Sequence, residues 1–220
     1  MHVTLKKTLL AAALCVPVLA SAQNLLKNGS FETALNPVTD WTAGTVGAFT
    51  YPVLIVNYGP GAVSGEALPL DNAVSLSPDA VGSKAAYFVE DVGTLTLTQS
   101  FTVLTTGNYN VGFDTYVPAN GFSNPFNSTF SGKVDATSVL TTSVGSLPKT
   151  TWQSNTAVVN LSAGVHTVTF SFTPSGVQAK DLVLDRVYVV ATPVPEAETL
   201  AMMAAGLAAI GFIARRRTRA

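Results

Sequence analysis

One cysteine in 220 residues rules out a disulfide within the chain. Histidine is almost as scarce: His2 and His166 are the two, which leaves little for histidine-based catalysis. Charged residues make up 11% of the chain. Long segments of Glu, Lys, Ala and Leu at helical spacing are missing, which excludes a helical bundle. Positive charge is short in the middle of the chain. Between residues 23 and 192 stand six basic residues (Lys27, Lys84, Lys133, Lys149, Lys180 and Arg186) against eleven acidic ones. A region with a net charge of −5 and no basic patch argues against nucleic acid as a partner.

What is present is concentrated at the two ends. Lys6 and Lys7 precede an apolar stretch at 9–19, and Ala20, Ser21 and Ala22 come directly after it. That order is a secretory signal peptide, residues 1–22, with signal peptidase reading Ala20 and Ala22. Cys15 lies inside the apolar stretch, with Leu14 before it and Val16 after it, which is not the setting of a lipid-attachment cysteine. It leaves with the signal. The mature chain from Gln23 then has no thiol, so its fold rests on a hydrophobic core.

At the other end, residues 200–214 carry no charge. As a helix they span roughly 22 Å, short of a hydrocarbon core of ~30 Å. With Thr199 they form an expected transmembrane helix at 199–214. No polar face interrupts it, unlike a surface helix. Arg215, Arg216, Arg217 and Arg219 form a stop-transfer cluster behind it and favour the cytoplasmic side. A tail at 193–220 is thus expected to pass through the inner membrane transiently while the core lies in the periplasm.

The remaining 23–192 segment is one domain in length and can bury about 70% of its unfolded surface. Its Thr, Ser, Val, Gly and Asn content suits strands with hydroxyl-bearing outer faces. Strict alternation at 95–103 puts Leu95, Leu97, Phe101 and Val103 on one face and Thr96, Thr98, Ser100 and Thr102 on the other. Tyr109, Val111 and Phe113 repeat it, as do Val168, Phe170 and Phe172. Residues 182–190 are apolar in both phases, which predicts a central strand. Further strands are expected at 24–26, 49–56, 84–88, 131–134, 139–144 and 158–161. Turn residues at 105–107 and 163–164 predict two hairpins, and 59–82 and 117–129 read as loops. Eight to ten short strands imply an all-β fold, a two-sheet antiparallel β-sandwich of the jelly-roll kind. It would be flanked by an N-terminal signal helix and a C-terminal transmembrane helix.

These residues carry two resemblances. Val194, Pro195 and Glu196, the apolar helix and the arginine cluster resemble the PEP-CTERM sorting signal of Gram-negative bacteria that make extracellular polysaccharide. Where that signal usually has a second proline, this chain has Ala197. The resemblance implies recognition by an exosortase, a membrane-embedded cysteine protease of transpeptidase type, and delivery to the cell surface or extracellular matrix. The core is similar to galactose-binding-like carbohydrate-binding modules. The similarity runs from Asn24 through Asn28, Phe31, Glu32 and Trp41, then Gly107, Trp152 and the 182–190 strand. In such modules an opening-strand glutamate and a last-strand aspartate hold a structural calcium. The matching positions are Glu32 and Asp185, with Asn28 as a carbonyl donor.

Asp185 shares its expected phase with Val183, Val187 and Val189, and a carboxylate there must be paired, hydrogen-bonded or metal-bound. Its other readings are pairing with Lys180 or Arg186, or capping a backbone group. Tyr116, Phe122, Phe126 and Trp152 are the aromatic candidates for a sugar platform, against ordinary packing. Catalysis has little to build on. His166 stands near a strand start, and Glu90 and Asp91 would face opposite sides of a strand. The expected role is a non-enzymatic surface or matrix protein that binds extracellular polysaccharide. The rivals are a secreted glycan-active hydrolase, using distant carboxylates such as Asp114 and Asp135, and a purely structural matrix protein without a ligand.

Overall fold

The structure is a computed structural model that describes residues 23–33, 39–59, 82–192, 204–208, 210 and 215. The chain divides into two units, of which Ala22–Thr192 is the strand-bearing one. Ala20, Ala22, Val194, Pro195, Glu196, Arg216, Arg217 and Arg219 lie outside the described residues, as does most of the expected tail helix. Of that helix, residues 204–208 and 210 are helical, and so is Arg215. Among the described residues, no helix is long and apolar enough to cross a membrane.

Among the described residues, ten strands form two five-stranded antiparallel sheets. They are β1 Thr42–Val46, β2 Leu54–Asn57, β3 Lys84–Phe88, β4 Thr94–Val103, β5 Gly107–Tyr116, β6 Ser128–Val134, β7 Thr137–Ser143, β8 Gln153–Leu161, β9 Gly164–Pro174 and β10 Leu182–Ala191. The first sheet runs β1-β4-β9-β6-β7 and the second β2-β3-β10-β5-β8. One short helix, α1 (Ala119–Ser123), lies in the β5–β6 connection. The expected two-sheet sandwich is therefore present.

Alternation works as the pattern of β4 implies: Leu95, Leu97, Phe101 and Val103 are buried in the core. The opposite phase carries paired hydroxyls, with Thr94 on Thr173 and Ser100 on Thr167, both at 3.1 Å. Between the sheets, Phe113 meets Phe170 edge-to-face at 5.0 Å, and within the first sheet Phe130 stacks on Phe170 at 6.0 Å. Such pairs add to the ~1.5–3 kcal/mol each ring gains by burial. Gly132 makes room for them, since a Cβ there would come within 2.7 Å of the Phe113 ring.

Both expected hairpins turn out to be crossings between sheets. β4 and β9 belong to the first sheet, β5 and β8 to the second. A turn signal marks a reversal, but not which sheet receives the next strand. The two crossings dock on each other: the Ala163 N–H donates to Thr106 Oγ1 at 2.9 Å. β1 was not expected at all, and of the 49–56 expectation only residues 54–56 lie in a strand, β2, which runs on to Asn57.

The expected strand at 24–26 is absent for a specific reason. A side chain takes its ladder bonds: Asn24 Oδ1 accepts the Val189 N–H at 2.9 Å and Asn24 Nδ2 donates to the Val187 carbonyl at 3.0 Å. The opening motif then plugs one end of the core. Trp41 Nε1 donates to the Asn28 carbonyl at 3.1 Å, and its ring lies 5.6 Å from Phe31.

β10 is the central strand of its sheet and is buried along nearly its whole length, as its double apolar phase implies. It also contains a bulge. Its register against β5 moves by one residue between Asp185, opposite Asp114, and Tyr188, opposite Gly112. The extra residue is Arg186, at φ +50°. A bulge bends the strand and re-aims the residues beyond it. Leu182, Leu184, Val187 and Val189 therefore all belong to the core. Val183 packs in a separate cluster on the outer side. Asp185 is on that outer phase with Val183 and Tyr188, which corrects the expectation that it shares a phase with Val187 and Val189.

Candidate functional site

The outer side of the second sheet collects most of the chemistry. Its outward phase runs through Asn110, Gly112, Asp114 and Tyr116 on β5. Across the ladder stand Val158, Thr156 and Ser154 on β8. From β10 come Val183, Asp185 and Tyr188. Trp152 sits just before β8.

At the Trp152 end, aromatic rings pack around ionic groups. Trp152 lies 5.2 Å from Tyr116 and 5.9 Å from Tyr58. The Arg186 guanidinium carbon is 6.0 Å from the Trp152 ring centre, a cation–π distance. Arg186 Nη2 also pairs with Asp114 Oδ2. Asp185 accepts the Tyr58 hydroxyl and, at 2.7 Å, the Arg186 N–H. Beside them Tyr87 donates to Asp181 at 2.8 Å. Asp114 and Asp185 are almost fully buried, so these partners supply the stabilisation that water would otherwise give.

Further along the same face is an open groove of about 420 Å³, lined by Asn110, Thr156, Ala157, Val158, Tyr188 and Val190. Its floor depends on a glycine. The Tyr188 ring packs closely on β5 because Gly112 has no side chain; a Cβ there would stand 2.4 Å from the ring. Burial raises the Tyr188 pKa, so its hydroxyl stays protonated. Val158 projects at the rim, 62% exposed. Apolar surface with an amide and hydroxyls is the lining that suits an uncharged polyhydroxylated ligand.

Of the four aromatic candidates, the structure brings Tyr116 and Trp152 together on this face. Phe122 and Phe126 are elsewhere. Phe122 is in α1, half-buried against the core, with Lys180 Nζ 4.6 Å from its ring centre. Lys180 Nζ also donates to the Phe122 and Asn124 carbonyls. Phe126 joins the 176–180 segment: its N–H donates to the Gln178 carbonyl at 3.1 Å, and its ring covers Gly176. Both rings fasten the loop. Sequence reasoning missed Tyr58, Tyr87 and Tyr188 as site residues, and it placed Asp114 and Arg186 in other roles. The adjacent charges Asp185 and Arg186 inside an apolar strand were the available sign of the bulge.

The three residues named for calcium each face hydrogen-bond donors. Glu32 Oε1 accepts the Ser83 and Lys84 N–H groups at 2.8 and 2.7 Å, and Lys84 Nζ donates to the Glu32 carbonyl. The Asn28 carbonyl accepts Trp41 Nε1 and the Phe31 N–H. Asp185 accepts Tyr58 and Arg186. Each acceptor faces a donor, where a cation needs six to eight oxygens converging on one point. Among the described residues no three His, Cys, Asp or Glu side chains form such a group.

The acidic residues considered for hydrolysis are also apart. Asp114 belongs to the second sheet. Asp135 comes just after β6 of the first and holds His166: His166 Nδ1 lies 2.6 Å from Asp135 Oδ2, and Nε2 lies 2.8 Å from the Ser162 carbonyl. With an acceptor at each ring nitrogen, the imidazolium is the matched form. Asp135, then Ser162, raise the His166 pKa above its ordinary 6.5, against burial. Burial pushes Asp135 up, but His166 and the Thr167 N–H outweigh it and hold it below 3.8. The pair therefore contributes its full stability between about pH 3.8 and 6.5. The His166 share is lost as pH rises through its elevated folded-state value, and the Asp135 share as pH falls through its depressed one. Asp135 is half-exposed, so solvent screens the effect. A melting-temperature profile should decline modestly above pH 6.5 and flatten there in His166→Gln; equal slopes would remove the pair from the account.

Residues 193–217 match the PEP-CTERM protein-sorting motif. No curated protein matches the chain. Among solved structures, the carbohydrate-binding module TmCBM61, determined with β-1,4-galactotriose, is 19% identical, with a TM-score of 0.53 over 78% of this chain and 100% of its own. A cyclase from Fischerella sp. TAU, in complex with 4-(1H-indol-3-yl)butan-2-one, is 16% identical, with a TM-score of 0.50 over 80% of this chain and 100% of its own. At these identities the likeness is one of fold. The chain thus ends in a PEP-CTERM protein-sorting motif, and the domain before it has the jelly-roll fold found in carbohydrate-binding modules.

Proposed function

We propose that this protein is exported, sorted to the cell surface through its tail, and there binds extracellular polysaccharide on the outer face of the second sheet. The observation that carries the binding reading is the open groove over Tyr188 and Gly112. Its apolar walls and its amide and hydroxyl groups answer the two sides of a sugar, C–H faces and hydroxyls. At ~3.3 Å per residue, the face from Trp152 to Val158 is about 20 Å long, enough for an oligosaccharide. The sorting motif supplies a place where such a ligand is at hand. Signal peptidase and exosortase are its expected processing partners. In this reading binding proceeds without turnover: Asp114 belongs to the second sheet, whereas Asp135 follows β6 of the first and holds His166.

A glycan array and a polysaccharide pull-down with the full chain test this. Val158→Glu puts a charged side chain at the exposed groove rim without touching the core. It should weaken binding at least about tenfold, the effect of losing ~1.4 kcal/mol, and no new reducing ends should appear. No retained glycan, or equal retention by the variant, would count against the groove; release of reducing ends would restore the hydrolase reading.

A further inference from the structure

We infer that the Trp152 end of this face is a subsite that selects an uncharged sugar by reading one of its hydroxyl groups, with the Trp152 indole N–H as donor and Asp114 Oδ1 as acceptor. The inference rests on the polysaccharide-binding reading and deepens it. Both atoms are buried, and neither has a hydrogen-bond partner among the described residues. Buried polar side-chain atoms are nearly always paired. Asp114 itself is 1% exposed, so its unpartnered oxygen belongs to a built site and not to a solvated surface.

Register makes the two residues neighbours on one face. Asp114 stands opposite Ser154 across the β5–β8 ladder. Trp152 precedes Ser154 by two residues, on the same outward phase, which makes it the diagonal neighbour of Asp114 at roughly 7–8 Å. The Arg186 guanidinium touches both, pairing with Asp114 Oδ2 and lying by the Trp152 ring. It fixes one carboxylate oxygen and leaves Oδ1 for a ligand. Trp152 is half-buried and lies one residue before the β8 ladder begins. A ligand therefore reaches the pair by moving the ring edge, without breaking the sheet.

The chemistry of the two atoms sets the class. A hydroxyl both accepts and donates, so one hydroxyl satisfies both. A carboxylate or sulfate group placed there accepts from the indole but has no proton to give Asp114. It would also sit against Asp114 and Asp185, two carboxylates with a single guanidinium between them. A site that hydrogen-bonds a ligand group discriminates strongly against a ligand that leaves its own polar atoms unpaired.

The test is tryptophan fluorescence and calorimetric titration of the full chain with neutral oligosaccharides (galactotriose, cellotriose and mannotriose) and with oligogalacturonate. Trp41→Phe makes Trp152 the reporter. A neutral oligosaccharide should shift the Trp152 emission, and oligogalacturonate should not bind. Trp152→Phe keeps an aromatic ring and removes the N–H, and should lower affinity about tenfold. Asp114→Asn should lower it further. Neutral binding with silent emission and unchanged affinity in Trp152→Phe would overturn the subsite and leave the groove reading standing. Tighter binding of oligogalacturonate would overturn the neutral class. No binding by any of the neutral oligosaccharides would remove both readings.

Discussion

Glu90→Gln should lower the melting temperature of the domain by roughly 10 °C, the largest single-residue effect expected outside the aromatic core. Glu90 is fully buried. Its Oε2 accepts the Thr50 and Tyr51 N–H groups at 2.7 Å each, and its Oε1 accepts Val92 and Gly93 at 2.9 and 3.3 Å. Burial pushes its pKa up, yet the four N–H groups outweigh it and hold the carboxyl below its ordinary value. One carboxylate therefore ties the approach to β2 onto the turn between β3 and β4. A glutamine would turn an NH₂ group on two N–H donors. Leaving buried donors unsatisfied, or breaking a buried charged interaction, costs about 3–5 kcal/mol. In a domain of this size each kcal/mol moves the melting temperature by about 2–4 °C. The same geometry predicts acid sensitivity: the Glu90 contribution is present above its ordinary pKa and disappears as pH falls through the depressed folded-state value. A melting temperature within about 2 °C of wild type would mean that the four N–H groups find other partners.

The second large effect concerns the tail and is close to all-or-none. In an exosortase-positive strain the mature protein should lose the apolar segment, so its intact mass should fall by the residues beyond the cleavage point near Pro195 and Glu196. In the exosortase deletion its C-terminus should remain at Ala220. The 15 uncharged residues of 200–214 are short for a permanent span, and the arginines behind them are expected to halt transfer. The motif then lies just outside the apolar segment, where a membrane-embedded enzyme can meet it. Ala197 stands inside the matched segment, where the signal usually has its second proline, while the apolar segment and the arginines keep their order. An Ala220 terminus in both strains would end the processing account.

Some of the architecture was legible because one physical rule decided it. β4 and β9 each have one buried and one wet face, so period-two alternation identified them. β10 was legible as central because both of its phases are apolar. Its phase past Asp185 was not, because a single inserted residue at Arg186 reverses which side chains face the core. That reversal hid Tyr188, and with it the groove. The hairpin error has a related origin: glycine at 107 and 164 marks a change of direction, while sheet membership depends on long-range pairing. Among the site candidates, Tyr116 and Trp152 were recoverable as aromatics flanking strands. Phe122 looked equivalent, but Lys180, 58 positions away in sequence, covers its ring. The calcium reading could not take account of partners that only the fold supplies, such as the Ser83 and Lys84 N–H groups on Glu32.

The central claim is that the outer face of the second sheet binds glycan. Amide chemical-shift mapping of the full chain, titrated with a glycan retained on the array, tests it most directly. The account predicts that the largest shifts fall on Asn110, Gly112, Thr156, Val158, Tyr188 and Val190, extending toward Trp152. Shifts confined to the threonine-bearing face of the first sheet, or to the 122–126 loop, would contradict it.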